Sequence, residues 1–148
     1  MIFTEGCFIP GKIISINISA QKGIEKDKIE EVMVIENWGL EGDAHGGDWD
    51  RQVSVFPIEA LDKVPSNKIK EVLSGGYTEN FTISGIPLED LVVGKTIILG
   101  DVEIIISHIG KDEFKDQGRP YIVSREGRFG KVTKGGKVKT GDKVKIRT

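Results

Sequence analysis

"TIILGDVEIIISHI", residues 96–109, sets two runs of isoleucine, valine and leucine on either side of Gly100-Asp101. Aliphatic and β-branched residues suit a pleated, half-buried surface, and a two-residue connection with glycine first suits a type II′ turn, whose first central residue needs a positive φ. The stretch predicts a β-hairpin. Working outward, "KIISINIS" (12–19), "VMVIEN" (32–37), "QVSVF" (52–56) and "DKVKIR" (142–147) alternate apolar and polar positions in the same way. "GKVTKGGKVK" (130–139) places Gly135-Gly136 between alternating segments and predicts a second hairpin. The 19 glycines lie between such runs rather than in a low-complexity tract, which is turn chemistry for many short strands. Helical signal is confined to two places. Pro57 precedes Ile58, Leu61 and Val64, and Ser66 precedes a segment with Ile69, Val72 and Leu73 on one face. The expected fold is mainly β: a closed or nearly closed β-barrel with a few short helices, in one domain spanning residues 1–148. Closure removes the sheet edges that invite aggregation.

A chain of 148 residues is long enough to bury a core without covalent staples. Cys7 is the sole cysteine, which excludes an internal disulfide and a cysteine-rich zinc site and predicts a reducing, cytoplasmic setting. The opening "MIFTEGCFIPGKI" has no basic leader, and no apolar run approaches the ~20 residues that span a bilayer, so neither secretion nor a membrane partner is expected. Charge is unevenly spread. Residues 1–110 carry 9 Lys+Arg against 18 Asp+Glu, net −9, and residues 111–148 carry 12 against 5, net +7. The C-terminal lysines alternate with apolar residues, as on the wet side of a hairpin; the alternative is a face for an anionic ligand or an acidic partner protein. Aromatic interleaving is missing from that region, so nucleic acid is not an expected partner. Walker A, G-x-G-x-x-G and G-x-S-x-G motifs are all absent, which disfavours the ordinary nucleotide folds and the nucleophile-elbow hydrolases.

"GDAHGGDWDRQVSV" (42–55) concentrates the chemistry-bearing residues. Gly42, Gly46 and Gly47 permit positive φ and close backbone approach, so their N–H groups can face an anion, while Arg51 offers a planar fork to phosphate or carboxylate. His45 adds an imidazole able to donate or accept a hydrogen bond, and Asp43, Asp48 and Asp50 orient it, orient Arg51, or simply begin turns. The aspartates and His45 offer ligand atoms, but no second cluster completes a metal site. His108 reads as a strand-end histidine satisfied by backbone groups, and Cys7 as a buried, unreactive thiol. Glu79-Asn80 precedes a short strand, and asparagine carries both donor and acceptor for a heterocycle edge. Arg119, Arg125 and Arg128 cluster around Gly127 and, with Arg51 and Lys111, would form an anion site assembled from separate loops.

Taken in order, "KIISINIS", "GLEGDAHGGDWDRQVSV", "YTENFTISGIPLEDLVVGKTIILGDVEIIISHIGK" and "SREGRFGKVTKGGKVKTGDKV" resemble the MOSC domain, the family named after the C-terminal domain of molybdenum cofactor sulfurase, and its short stand-alone bacterial members in particular. The likeness runs from about Gly11 to Val144. It implies a β-barrel that handles molybdenum cofactor or molybdopterin, by sulfur transfer or by binding and delivery, with cofactor-biosynthesis proteins or molybdoenzymes as partners. Gly42, Asp43, His45, Arg51, Asn80 and Arg125 match the family's polar pattern and are the candidate cofactor-binding residues. Their side-chain chemistry fits such a ligand independently: Arg51 and Arg125 for phosphate, Asn80 for the pterin edge and His45 as a polar or proton-relay group, with no metal ligand and no catalytic residue assigned.

The chain departs from the family in one respect. Stand-alone relatives commonly carry cysteines after "IGK" and before "REG", where this sequence has Glu113 and Tyr121. A carboxylate or a phenol cannot hold a persulfide, because sulfur transfer needs a thiolate. The expectation is therefore cofactor binding and handling without persulfide transfer. Its alternatives are a sulfurtransferase acting through Cys7, a molybdenum-cofactor-dependent reductive enzyme, and a module that docks a partner through its basic C-terminal region.

Overall fold

The computed structural model describes residues 11–19, 27–63, 79–110 and 126–147. The hairpin at its centre is β7 (Thr96–Leu99) and β8 (Val102–Ile109), paired antiparallel with Leu99 opposite Val102. Gly100 has φ +60° and Asp101 keeps a negative φ, which is the type II′ pattern. Gly100→Ala should lower stability by about 1–2 kcal/mol, since an L-residue is strained at that φ; an unchanged urea midpoint would contradict this. Along β7 and β8 every second residue, Ile97, Leu99, Val102, Ile104 and Ile106, is buried.

The remaining strands are β1 (Gly11–Ile18), β2 (Asp27–Ile29), β3 (Glu31–Ile35), β4 (Gly39–Leu40), β5 (Val53–Pro57), β6 (Phe81–Ser84), β9 (Arg128–Lys134), β10 (Gly136–Lys139) and β11 (Lys143–Ile146). Five of them join β7 and β8 in a closed seven-stranded barrel in the order β1-β11-β7-β8-β9-β5-β6 and back to β1. Within the barrel β5 and β6 run parallel, and every other pairing is antiparallel. β2 adds to β1 at Ile16–Ile18, beyond the Gly11–Lys12 end where β11 pairs. Ile13, Ile16, Val53, Val55, Phe81, Ile83, Val132 and Val144 fill the core with the residues of the central hairpin. Each fully buried side chain of this size contributes about 1.5–3 kcal/mol by leaving water.

The second expected hairpin is not formed. β10 leaves the barrel and pairs with β3 in a separate antiparallel sheet, β10-β3-β4, with Val138 opposite Val32. Gly135 makes the switch possible. A Cβ there would stand 2.6 Å from the Val34 carbonyl oxygen and 2.9 Å from the Glu36 nitrogen, so only glycine lets the chain pass this close to β3. The segment expected as a helix after Pro57 is a 3₁₀ helix, Ile58–Lys63. Its apolar spacing of three matches the 3.0 residues per turn of that helix, although the residue it buries most deeply is Ala60. A second 3₁₀ turn covers Leu88–Asp90. The expected helix behind Ser66 lies outside the described residues.

Candidate functional site

At one end of the barrel, where β1 ends and β5 and β6 begin, the buried polar residues meet. Asn80 is 1% exposed, and every hydrogen-bonding position of its amide is used. Its Oδ1 accepts from the Ser54 backbone N–H (3.0 Å) and the Ser54 hydroxyl (3.2 Å), while Nδ2 donates to the Asn17 carbonyl (3.1 Å) and to Asp43 Oδ2 (3.2 Å). Asn17 in turn donates from Nδ2 to the Glu79 carbonyl, 3.1 Å away. Asp43 accepts the Ser19 N–H on Oδ1 at 2.9 Å. An amide engaged in this way orients Asp43 and ties β1, β5 and β6 together; it does not present a free edge to a heterocycle.

Asp43 belongs to the loop between β4 and β5, and the carboxylate is wholly shielded while His45, two residues on, keeps about a third of its side chain in solvent. His45 Nδ1 lies 3.7 Å from Asp43 Oδ2, too long for a hydrogen bond. Gly42, with φ +83°, makes the turn that delivers Asp43. The N–H groups of Gly46 and Gly47 do not form an anion nest. Gly46 donates to the Asp43 carbonyl (3.3 Å) and Gly47 to the Trp38 carbonyl (2.8 Å), because the loop closes on itself. A Cβ on Gly46 would overlap the Trp38 ring, so glycine is needed there for packing. Gln52, fully buried, pins the loop: Nε2 donates to the Gly47 carbonyl (3.0 Å) and Oε1 accepts the Val132 N–H (3.0 Å).

The last residues of the same loop form one wall of an open cleft of about 300 Å³ lined by Trp49, Asp50, Arg51 and His108. Trp49 is held by its indole N–H, which donates to the His45 carbonyl at 2.8 Å. The Arg51 guanidinium carbon stands 5.5 Å from the centroid of the Phe129 ring, a cation–π distance. His108 was expected to be satisfied by backbone. It instead bonds through Nδ1 to the Ser107 hydroxyl, 3.0 Å away, and faces the cleft. The cause is a β-bulge. β8 pairs Ile106 with Gly130 and then His108 with Phe129, leaving Ser107 extra. Ser107 and His108 therefore do not follow the strict alternation of the strand, and such bulges re-aim side chains. The two polar regions share one row across the barrel wall: His108 on β8 faces Phe129 on β9, which faces Ser54 on β5, the partner of Asn80.

Of the candidate residues, Asp43, His45 and Asn80 meet in the polar knot, Gly42 shapes the turn before it, and Arg51 lines the cleft that the same loop builds. Arg125 lies outside the described residues, as do Cys7, Lys111, Glu113, Arg119 and Tyr121. Arg128 does not join an anion site. It is 5% exposed and turns inward, with Nε donating to the Leu91 carbonyl (2.9 Å) and Nη1 to the Glu126 carbonyl (2.7 Å). Desolvation pulls its basicity below the ordinary arginine value, against the hydrogen bond and charge of Glu126. The side chain works as a structural strut under the 88–90 turn. Among the described residues no group of three His, Cys, Asp or Glu side chains is placed to hold a metal ion. The basic C-terminal strands carry their lysines outward around the buried Val132, Val138 and Val144, and Lys137 and Arg147 pair with Glu31 (3.3 Å) and Glu103 (2.6 Å).

Solved structures with the same architecture include YuaD from Bacillus subtilis, at TM-score 0.70 and 19% identity over 93% of this chain and 96% of that one. YiiM from Geobacillus stearothermophilus superposes at TM-score 0.68 with 19% identity, over 94% of this chain and 76% of that one. The fold is of the MOSC type. YiiM from Escherichia coli shares it at TM-score 0.59 and 16% identity, over 94% of this chain and 69% of that chain. No family model matches the sequence, and no curated protein does. Within this MOSC-type barrel the described residues include no helix long and apolar enough to cross a membrane.

Proposed function

We propose that this chain binds molybdenum cofactor or molybdopterin in the cytoplasm and acts in handling that cofactor, with biosynthesis proteins or molybdoenzymes as its partners, without persulfide transfer. The observation that carries the reading is the cleft in which Arg51, Trp49, Asp50 and His108 lie side by side. A MOSC-type fold supports it. The donor set fits a phosphorylated pterin. Arg51 matches the phosphate by its planar fork of N–H donors, the exposed indole of Trp49 offers a stacking face, and Asp50 offers a carboxylate acceptor for ring N–H groups. About 300 Å³ is at the lower end of ligand-sized pockets, enough for a single pterin with its phosphate at the rim. When bound, the metal form of the cofactor supplies redox or sulfur chemistry. The protein's own residues bind and orient: Gln52 and the Asp43–Asn80 knot hold the loop still, and Arg51 anchors the anion against Phe129.

The test is equilibrium binding of molybdopterin to the wild type and to Arg51→Ala. Losing charge-assisted hydrogen bonds should weaken binding by about 1.5–3 kcal/mol, roughly 10- to 100-fold. Binding that is absent in the wild type, or equal in both proteins, would overturn the reading.

A further inference from the structure

The hydroxyl of Ser107 lies between three neighbours: the Asp50 carbonyl at 2.6 Å, the Phe129 carbonyl at 3.1 Å and His108 Nδ1 at 3.0 Å. A serine hydroxyl has one proton, and both carbonyls can only accept. The 2.6 Å contact therefore takes that proton, and the Ser107 oxygen is left to accept from His108. His108 must carry its proton on Nδ1. In the neutral ring Nε2 then bears a lone pair, and no hydrogen bond from the described protein engages it.

From this geometry we infer that His108 is a ligand-reading residue of the cleft, locked by Ser107 in the Nδ1–H tautomer so that Nε2 accepts a hydrogen bond from an N–H donor of the bound molecule. The locking chain is built from three elements. The bulge at Ser107 turns β8 outward, Asp50 supplies its carbonyl from the loop before β5, and Phe129 supplies its own from β9. His108, Asp50 and Arg51 thus line one cleft and together can offer an acceptor nitrogen, a carboxylate and a cation to one molecule. That combination selects a molecule joining an anionic group to a ring with several N–H donors, the chemistry of a phosphorylated 2-amino-4-oxo heterocycle. Pterin phosphates and guanine nucleotides share it. A ring lacking those donors leaves Nε2 and the carboxylate without a donor from the ligand, which is the basis of discrimination. The inference rests on the proposed pterin reading and specifies which residue reads the ring.

Two measurements test it. Long-range ¹⁵N–¹H spectra of the full chain, with the two histidines assigned through His45→Gln and His108→Gln, should show His108 as the Nδ1–H tautomer at high pH, and Ser107→Ala should shift it toward the Nε2–H form. A wild-type Nε2–H tautomer overturns the proposal without touching the binding reading. Titration with a pterin monophosphate should then move the His108 Nε2 resonance, whereas inorganic phosphate should leave it in place. His108→Ala should weaken binding of the pterin monophosphate about tenfold and leave inorganic phosphate binding unchanged. GMP moving the resonance while the pterin monophosphate does not would keep His108 as the reader and assign the site to guanine nucleotides. Pterin monophosphate that binds the wild type with Nε2 unmoved removes His108 from the site but spares the pterin reading; failure of both ring ligands to bind removes both.

Discussion

Asn80→Ala should destabilise the protein by about 3–5 kcal/mol, a large share of the 5–15 kcal/mol that holds a typical domain. The truncation removes two donors and a doubly used acceptor from a site that is 1% exposed. The Ser54 N–H and the Asn17 carbonyl lose partners at 3.0 and 3.1 Å, and Asp43 Oδ2 loses the amide at 3.2 Å. Buried polar groups left in this state cost about 1–3 kcal/mol each, and more where one is a carboxylate. The loss has reach, because Asn80 joins three strands and the loop between β4 and β5. Asn80→Asp separates hydrogen bonding from packing. It keeps the volume and the acceptor for Ser54 but sets a second carboxylate against Asp43 Oδ2 and the Asn17 carbonyl, so it should be at least as damaging at neutral pH. Urea unfolding followed by tryptophan fluorescence measures both. A loss below about 1 kcal/mol for Asn80→Ala would show that the knot is not a main support of the fold.

Gly130→Ala should be comparably severe, with a loss of about 3 kcal/mol or more and a thermal midpoint lowered by roughly 10 °C. Gly130 sits in the middle of β9, paired with Val53 of β5 on one side and Ile106 of β8 on the other. A methyl group there would overlap the Ile105 carbonyl oxygen and come within 2.7 Å of the Ile104 side chain. Neither neighbour can withdraw. The carbonyl belongs to strand backbone, and in a closed barrel β9 cannot move away from β8 without loosening its bonds to β5. The residue opposite, Ile106, immediately precedes the Ser107 bulge, so strain at Gly130 should also disturb His108 in whatever protein still folds. Differential scanning calorimetry decides the point; a midpoint within about 2 °C of wild type would refute the packing argument.

Strand identity was legible in the sequence wherever one local period ruled. The alternation of "VMVIEN" returns as buried Val32 and Val34 between exposed Glu31, Met33 and Ile35, and the central hairpin turns where Gly100 allows it. The mistaken hairpin at Gly135 has the same origin. Two alternating segments around glycines look alike whether the second folds back on the first or crosses to another sheet, and the deciding fact is the nearness of the β3 backbone, a hundred residues earlier in the chain. Arg128 shows the limit for charged residues. Nothing in "SREGRFG" separates an arginine aimed at an anion from one aimed at the Leu91 carbonyl, since that choice depends on a turn nearly forty residues away. His108 was undervalued for a related reason: its outward turn depends on a one-residue slip between β8 and β9 that neither strand encodes alone.

Composition, periodicity and turn chemistry by themselves determined that this chain makes many short strands closing into a barrel, and that its polar residues gather between Gly42 and Arg51. Those properties follow from hydrophobic alternation and from allowed φ values, both local in sequence. Only the tertiary structure decided which polar residues support and which face outward: Asn80, Gln52 and Arg128 are engaged inside, while Arg51, Asp50, Trp49 and His108 share the cleft. That division is set by pairing and register between distant strands, where one bulge or one close approach turns a side chain from the interior to the surface.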